Sequence, residues 1–315
     1  LQALTRLVIA IALVTIGIGA AAEAPAIHTE DVTRFYQVYE AAGGHPTADA
    51  IQRDYIDPGS VGLQSLEKTR NVTGATIARN LAAHPEMYAT ARECLTVLPQ
   101  VRARLEIALA KMRDLYPAMS DRPIFIAVSR GKPVGIADSS GVIIGLEALC
   151  AVQWMASNVE DRYVQVIVHE YTHVQQAIAE PTFYDNPKPT VLEGALVEGA
   201  AEFTAKLITG GAATYDALEA TTKGHEAQIE TAFAADEDST DLSKWFNNST
   251  MTKPGDLGYW VGYRIVKSTI VPVTSVRPSG RFSRFTIPKR SSTPAAGTLL
   301  PRSSLSRAGR GSIVA

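Results

Sequence analysis

The chain has 315 residues, of which 46% are hydrophobic and 20% charged, and its net charge is -2. This length can bury a sizeable core, in one large domain or two smaller ones, and the composition is that of an ordinary soluble globular protein. Nothing in the overall charge directs the chain to nucleic acid or to an anionic membrane, but the balance is uneven: no Asp or Glu follows Asp256, whereas basic residues continue to Arg310.

Residues 1–22 read as a signal peptide. Arg6 supplies the positive charge, an apolar run of about 14 residues follows, and Ala20-Ala21-Ala22 offers a small-x-small cleavage site. The run is short for a membrane span, which needs ~20 residues. The expectation is an exported bacterial protein, periplasmic or secreted, with no stable span after cleavage. In that oxidising setting Cys94 and Cys150 either pair or remain buried thiols, and the sequence leaves both open.

Residues 29–116 carry helical patterning. Thr29 is an N-cap candidate, and Phe35, Tyr36 and Tyr39 form an aromatic stripe suited to a core. Gly43-Gly44 stops that helix, residues 54–63 read as a turn-rich connector, and the pattern over 74–115 is broken at Pro85 and Pro99. The texture changes at Arg122. Residues 123–128 are a short β-rich run, 129–141 a loop full of turn formers, and 141–149 a strand leading into a helix. Helical pattern resumes at about Asn158 and ends near Pro181. After a Pro- and Asn-rich loop, a further helix runs from about Thr190 to Thr209, closed by Gly210-Gly211. Residues 225–235 and 255–268 are also predicted helical. Residues 269–315, rich in Ser, Pro, Gly and Arg and lacking acids, read as a disordered basic tail or as the product of a frameshift. The elements together predict an α+β fold, mostly helical with a short mixed sheet, in one domain over 23–268.

The helix after Asn158 carries His169, Glu170 and His173, an H-E-x-x-H motif. Positions i and i+4 share a helix face, so both imidazoles can reach one metal ion, and Glu170 stands where a general base toward a bound water is needed. Val164, Ile167, Val168, Tyr171 and Val174 form a separate apolar stripe. Catalytic zinc needs a third protein ligand and an open position. The helix over 190–209 offers Glu193, Glu198 and Glu202. Glu198 and Glu202 share a face, so one can bind the ion while the other accepts a hydrogen bond from a ligand histidine; Glu193 is the second choice as ligand. Gly199 and Ala200 would let the motif helix approach closely.

His169-Glu-Tyr-Thr-His173 followed by Glu198-Gly-Ala-Ala-Glu202-Phe resembles the gluzincin clan of zinc metallopeptidases, and more closely the predicted Zn-dependent protease family of bacteria. The resemblance covers roughly residues 30–268. It implies a zincin-like fold, Zn2+ held by His169, His173 and Glu198, Glu170 as base, and Glu202 as the acid behind a ligand. It also implies that 141–149 is the edge strand along which an extended peptide lies, and that further helix follows residue 268. A donor for the developing oxyanion is expected from Tyr259 or Tyr263, four apart on the last helix, or from His225. The expected function is hydrolysis of a peptide or protein substrate by a monomer. The alternatives are a metal-binding protein of the same fold that does no hydrolysis, and a zinc hydrolase acting on another bond.

Overall fold

The computed structural model describes residues 25–270; the predicted signal peptide and, from residue 271 on, the predicted basic tail lie outside the described residues, whereas Thr269 and Ile270 end a helix. Helix α1 (Glu30–Ala41) starts after Thr29, whose side chain makes no capping bond. Asp31 anchors the helix instead. It is buried, pairs with Arg34 at 2.6 Å, and accepts from the Ser60 N–H at 3.0 Å, tying α1 to the start of α3 (Val61–Arg70). Between them, α2 (Ala48–Ile51) runs into a π-helical turn over Gln52–Ile56, so part of the predicted connector is helical. Phe35 and Tyr36 are buried, and the Tyr36 hydroxyl donates to the Tyr88 carbonyl at 2.6 Å. Helices α4 (Gly74–Ala83), α5 (Pro85–Ala91) and α6 (Leu98–Leu115) follow. Pro85 and Pro99 sit in the first turns of α5 and α6, where a missing N–H costs nothing, so each prolines starts a helix rather than merely breaking one.

Four short strands form one mixed sheet: β1 (Ile27–His28), β2 (Ile124–Ala127), β3 (Gly135–Asp138) and β4 (Gly141–Gly145), in the order β1-β2-β4-β3. β1 and β4 flank β2 in parallel, and β3 closes an antiparallel hairpin on β4 with Ile136 opposite Ile143. Two sequence expectations change here. The predicted loop over 129–141 contains a strand, and β4 is an interior strand, hydrogen-bonded on both sides. The edge strands are β1 and β3. β4 runs directly into α7 (Leu146–Ala151), as the sequence predicts.

The remaining helices are α8 (Val159–Ala179), α9 (Pro181–Tyr184), α10 (Val191–Thr209), α11 (Ala213–Thr222), α12 (Glu226–Asp236) and α13 (Leu257–Ile270). The protein is thus a mostly helical α+β fold with a small sheet. One hydrophobic core joins the sheet to α1–α8. A second, more aromatic one joins α10–α13 through Trp245, Phe246 and Trp260. Each large side chain so buried contributes about 1.5–3 kcal/mol before conformational entropy is subtracted. Cys94 and Cys150 form a disulfide, with Cα atoms 6.3 Å apart. Among the described residues no helix is long and apolar enough to cross a membrane.

Helices α10 and α13 cross at glycines. A Cβ on Gly199 would lie 2.0 Å from the Gly262 carbonyl carbon, and one on Gly262 would lie 1.8 Å from the Ala195 oxygen. The small residue beside Glu198 therefore admits α13, not the motif helix as the sequence suggested.

Candidate metal centre

Helix α8 is capped by Asn158, whose side chain accepts from the Asp161 N–H. Its Val164, Ile167, Val168, Tyr171 and Val174 are buried in the first core. That fixes the rotation of the helix and turns His169, Glu170 and His173 toward α10 and β3. Helix α10 starts with a capping box. The Thr190 side chain accepts from the Glu193 N–H, and the Glu193 carboxylate accepts from the Thr190 N–H at 2.9 Å and the Asn186 side chain at 3.1 Å. Glu193 is thus engaged as a cap and stands apart from the histidines. The second choice of third ligand falls away.

Glu198 comes to them instead. Its Oε2 lies 3.2 Å from His169 Nε2 and 3.0 Å from His173 Nε2, and the two Nε2 atoms are 3.0 Å apart. All three side chains are buried, with ligand atoms within 4.8 Å of one another. The second ring nitrogens are also occupied. His173 Nδ1 lies 2.7 Å from Gln176 Oε1, and the Gln176 amide donates to the Val197 carbonyl at 3.0 Å. That donation leaves the glutamine oxygen as acceptor, so it places the proton on Nδ1. His169 Nδ1 lies 2.9 Å from Glu202 Oε1. The alignment falls short of a regular hydrogen bond, but the carboxylate still faces the ring nitrogen directly. It draws the proton to Nδ1. Glu202 is itself held, accepting from the Tyr215 N–H at the start of α11 at 2.8 Å.

With both Nδ1 atoms protonated, two imidazole lone pairs and a carboxylate oxygen converge in a buried site. Such a set is stable only with a cation or a proton between its members. The donor set is two imidazole nitrogens and one carboxylate, as in the His2Glu class of catalytic zinc sites, and the polar groups behind each histidine are what such ligands require. The residues therefore fit a zinc ion.

The electrostatics agree. Burial alone would lower the His169 pKa, but Glu198 and Glu202 outweigh it and hold the ring well above its ordinary value; His173 is raised in the same way by Glu198. Burial would raise Glu198, but the two histidines pull it down. Glu170 is raised, because burial outweighs the pull of His169 and His173. Its Oε2 has no hydrogen-bond partner. A Cβ on Gly135 would come within 2.8 Å of Glu170 Oε1, so glycine at that position lets the edge strand pass directly against the carboxylate.

A cleft of about 340 Å³ opens beside this cluster, lined by His169, Glu170, Glu202, the segment Gly131–Gly135, the loops around Trp154 and Thr250, and Tyr259. The Tyr259 ring stacks on His169 with centroids 5.9 Å apart. Tyr263 is not brought to the cleft: it packs on Tyr215, centroids 3.7 Å apart, and on Phe203. Both tyrosines belong to the aromatic core, but one turn along α13 decides which of them also borders the cleft. His225 stands at the N-terminus of α12 and faces a separate depression. Gln176 and Tyr184 escaped the sequence reading. Gln176 follows His173 by three positions, a spacing that shares a helix face. Tyr184 had no signal: its ring leans on His173 and its hydroxyl donates to the Ala137 carbonyl of β3 at 3.2 Å.

The family model described as Predicted Zn-dependent protease (DUF2268) matches residues 101–275. The chain belongs to this family. The match runs from the first turns of α6 to the end of α13, so it takes in every element that carries the cluster and the cleft walls. Residues 30–100, which the sequence resemblance also included, lie outside it. No curated protein and no solved structure matches the chain. The family's description names zinc and proteolysis, and the buried His169, His173 and Glu198 are a set able to hold that metal.

Proposed function

We propose that this protein is an exported zinc peptidase of zincin-like architecture, with residues 23–268 as its catalytic domain. The convergence of His169, His173 and Glu198 beside the buried Glu170 carries the reading. Zinc bound by these three side chains supplies a Lewis acid that polarises a carbonyl and acidifies water. Glu202 and Gln176 hold the rings from their Nδ1 side and so would present each Nε2 to the metal. Glu170 takes a proton from the attacking water at its unpartnered carboxylate oxygen and delivers it to the leaving amine. Burial holds the Tyr259 hydroxyl well above its ordinary pKa, so it stays protonated and serves as the donor to the oxyanion. An extended substrate pairs with β3, not with β4 as the sequence suggested, and Gly135 sets that pairing beside Glu170.

The test compares wild type with Glu170→Gln for zinc content and for digestion of a broad peptide library. Both proteins are expected to carry zinc, with cleavage falling about 10²–10⁴-fold in the variant. Zinc without cleavage in either would make the protein a metal-binding protein, and a metal-free wild type would remove the reading altogether.

A further inference from the structure

The cleft beside the cluster has a chemical character of its own. Next to His169 and Glu170 its wall is built from Pro133, Val134, Val152, Trp154, Met155 and Met251. Two acids of the lining are already engaged. Glu202 serves His169 and the Tyr215 N–H. Asp256 accepts from the Asn248 N–H at 2.8 Å and the Ser249 hydroxyl at 2.5 Å. Lys132 is exposed at the rim. Away from Glu170 and the rim lysine, the wall gives an entering charged side chain no partner for the water it loses, whereas an apolar one gains about 25 cal/mol for each Å² it buries.

The walls are held in place before anything binds. The Gln153 N–H donates to the Met251 carbonyl at 2.9 Å, and the Trp154 indole N–H donates to the Thr250 carbonyl at 2.7 Å. These bonds stitch the loop after α7 to the loop before α13 and satisfy the one polar atom of the indole, leaving its ring to the cleft. On the opposite side, the buried Glu147 accepts from the Ser129 and Gly131 N–H groups, each at 2.8 Å, and so fixes the strand entry that ends at Gly135. A volume of about 340 Å³ is near the lower limit for ligand clefts and suits one large side chain.

We infer that this cleft is a specificity pocket that selects peptides with a bulky apolar side chain, aromatic or long aliphatic, next to the bond being cut. This rests on the peptidase reading. Because His169 and Glu170 line the same cavity, a side chain seated in it belongs to a residue adjoining the reacting carbonyl. Trp154 determines the preference: it offers the largest apolar surface in the wall, and a preformed wall spends little entropy on binding.

The experiment measures binding apart from turnover. Zinc-loaded Glu170→Gln protein is titrated with blocked peptides that differ at one position, Phe, Leu, Ala, Asp or Lys, and binding is followed by isothermal titration calorimetry, which reads the Trp154 variants as well as the parent. Phe and Leu peptides are expected to bind about tenfold or more tightly than the Ala and Asp peptides. Trp154→Ala should flatten the series without lowering zinc content. Trp154→Phe, which keeps a ring but loses the bond to Thr250, should retain the order. Equal affinities across the series, or no binding of any peptide, would overturn the inference. Wild-type cleavage without apolar preference sinks the pocket but keeps the peptidase. Apolar-selective binding without cleavage does the reverse.

Discussion

The two hydrophobic cores are built on different principles. The first is aliphatic and sheet-centred: Ile124, Ile126, Val142 and Ile144 are fully buried within backbone ladders, and a disulfide ties its helical flank to α7. The second has no strand among the described residues. Tyr215, Phe233, Trp245, Phe246, Tyr259 and Trp260 surround the small-residue face of α10, and helix approach through glycine takes the place of ladders. Helix α10 belongs to both. Val191 and Ala195 lie in the second core, Ala205 and Ile208 in the first. Glu198 and Glu202 fall at the crossover between them. The candidate metal centre therefore stands on the seam, with its histidines from the first core's helix and its carboxylates from the shared one. A polar site can be buried there without interrupting either core, and an ion held by both helices would fasten them together.

The sharpest way to break this contrast is to cut the covalent tie of the first core. Cys94 and Cys150 are 56 residues apart, and closing a loop of that length stabilises the fold by about 4 kcal/mol through the unfolded chain. Cys150→Ser is expected to lower the free energy of unfolding in urea by that order and to leave the zinc affinity of the folded protein unchanged. A stability unchanged by the substitution would mean that the sheet-centred core needs no cross-link. A weakened zinc site would mean that the two regions are coupled more closely than the seam implies.

The second core should break at its glycines. Gly199→Ala places a methyl carbon where only 2.0 Å separates it from the α13 backbone, so the helices must part. The cost is expected at about 3 kcal/mol, the upper end of overpacking penalties. Tyr259, stacked on His169, would move with α13. Thermal unfolding, together with the accessibility of Trp260, checks it. A substitution tolerated within about 0.5 kcal/mol would show that the crossing is loose.

These contrasts were only partly legible in the sequence. The motif helix and its partner were readable because periodicity, the Thr190 cap and Gly210 all agree, and because i, i+4 spacing by itself puts His169 with His173 and Glu198 with Glu202 on common faces. The strand at Gly135–Asp138 was hidden among the turn formers of residues 129–141; four residues are too few for alternation to show. Helix α11 was missed because Gly210-Gly211 reads as a stop and the capping of Ala213–Thr222 uses no side chain of its own N-cap residue. Strand order is a tertiary fact, so nothing local could have said that β4 lies inside the sheet and β3 at its edge. The choice between Tyr259 and Tyr263 depends on the rotation of α13, which Gly262 sets by meeting Ala195. That contact joins positions 67 apart in the chain.

The smallest expected effect probes the seam at its least conspicuous member. Gln176 joins the two helices without touching the ion. Its oxygen faces His173 Nδ1 and its amide reaches the Val197 carbonyl of α10. If the glutamine works by fixing the tautomer, Gln176→Ala frees the ring to turn or to carry its proton on Nε2, and zinc affinity falls about 10–100-fold, or about 1.4–2.8 kcal/mol. Gln176→Glu keeps an acceptor at Nδ1 but loses the donation to Val197, so it should restore most of the affinity while the link to α10 is gone. A merely structural role predicts that the two variants fall alike, because both lose the bond to the backbone. Competitive zinc titration of the three proteins, set beside their unfolding midpoints, separates the two. Equal zinc affinity in all three would leave His173 oriented by packing against Tyr184 alone.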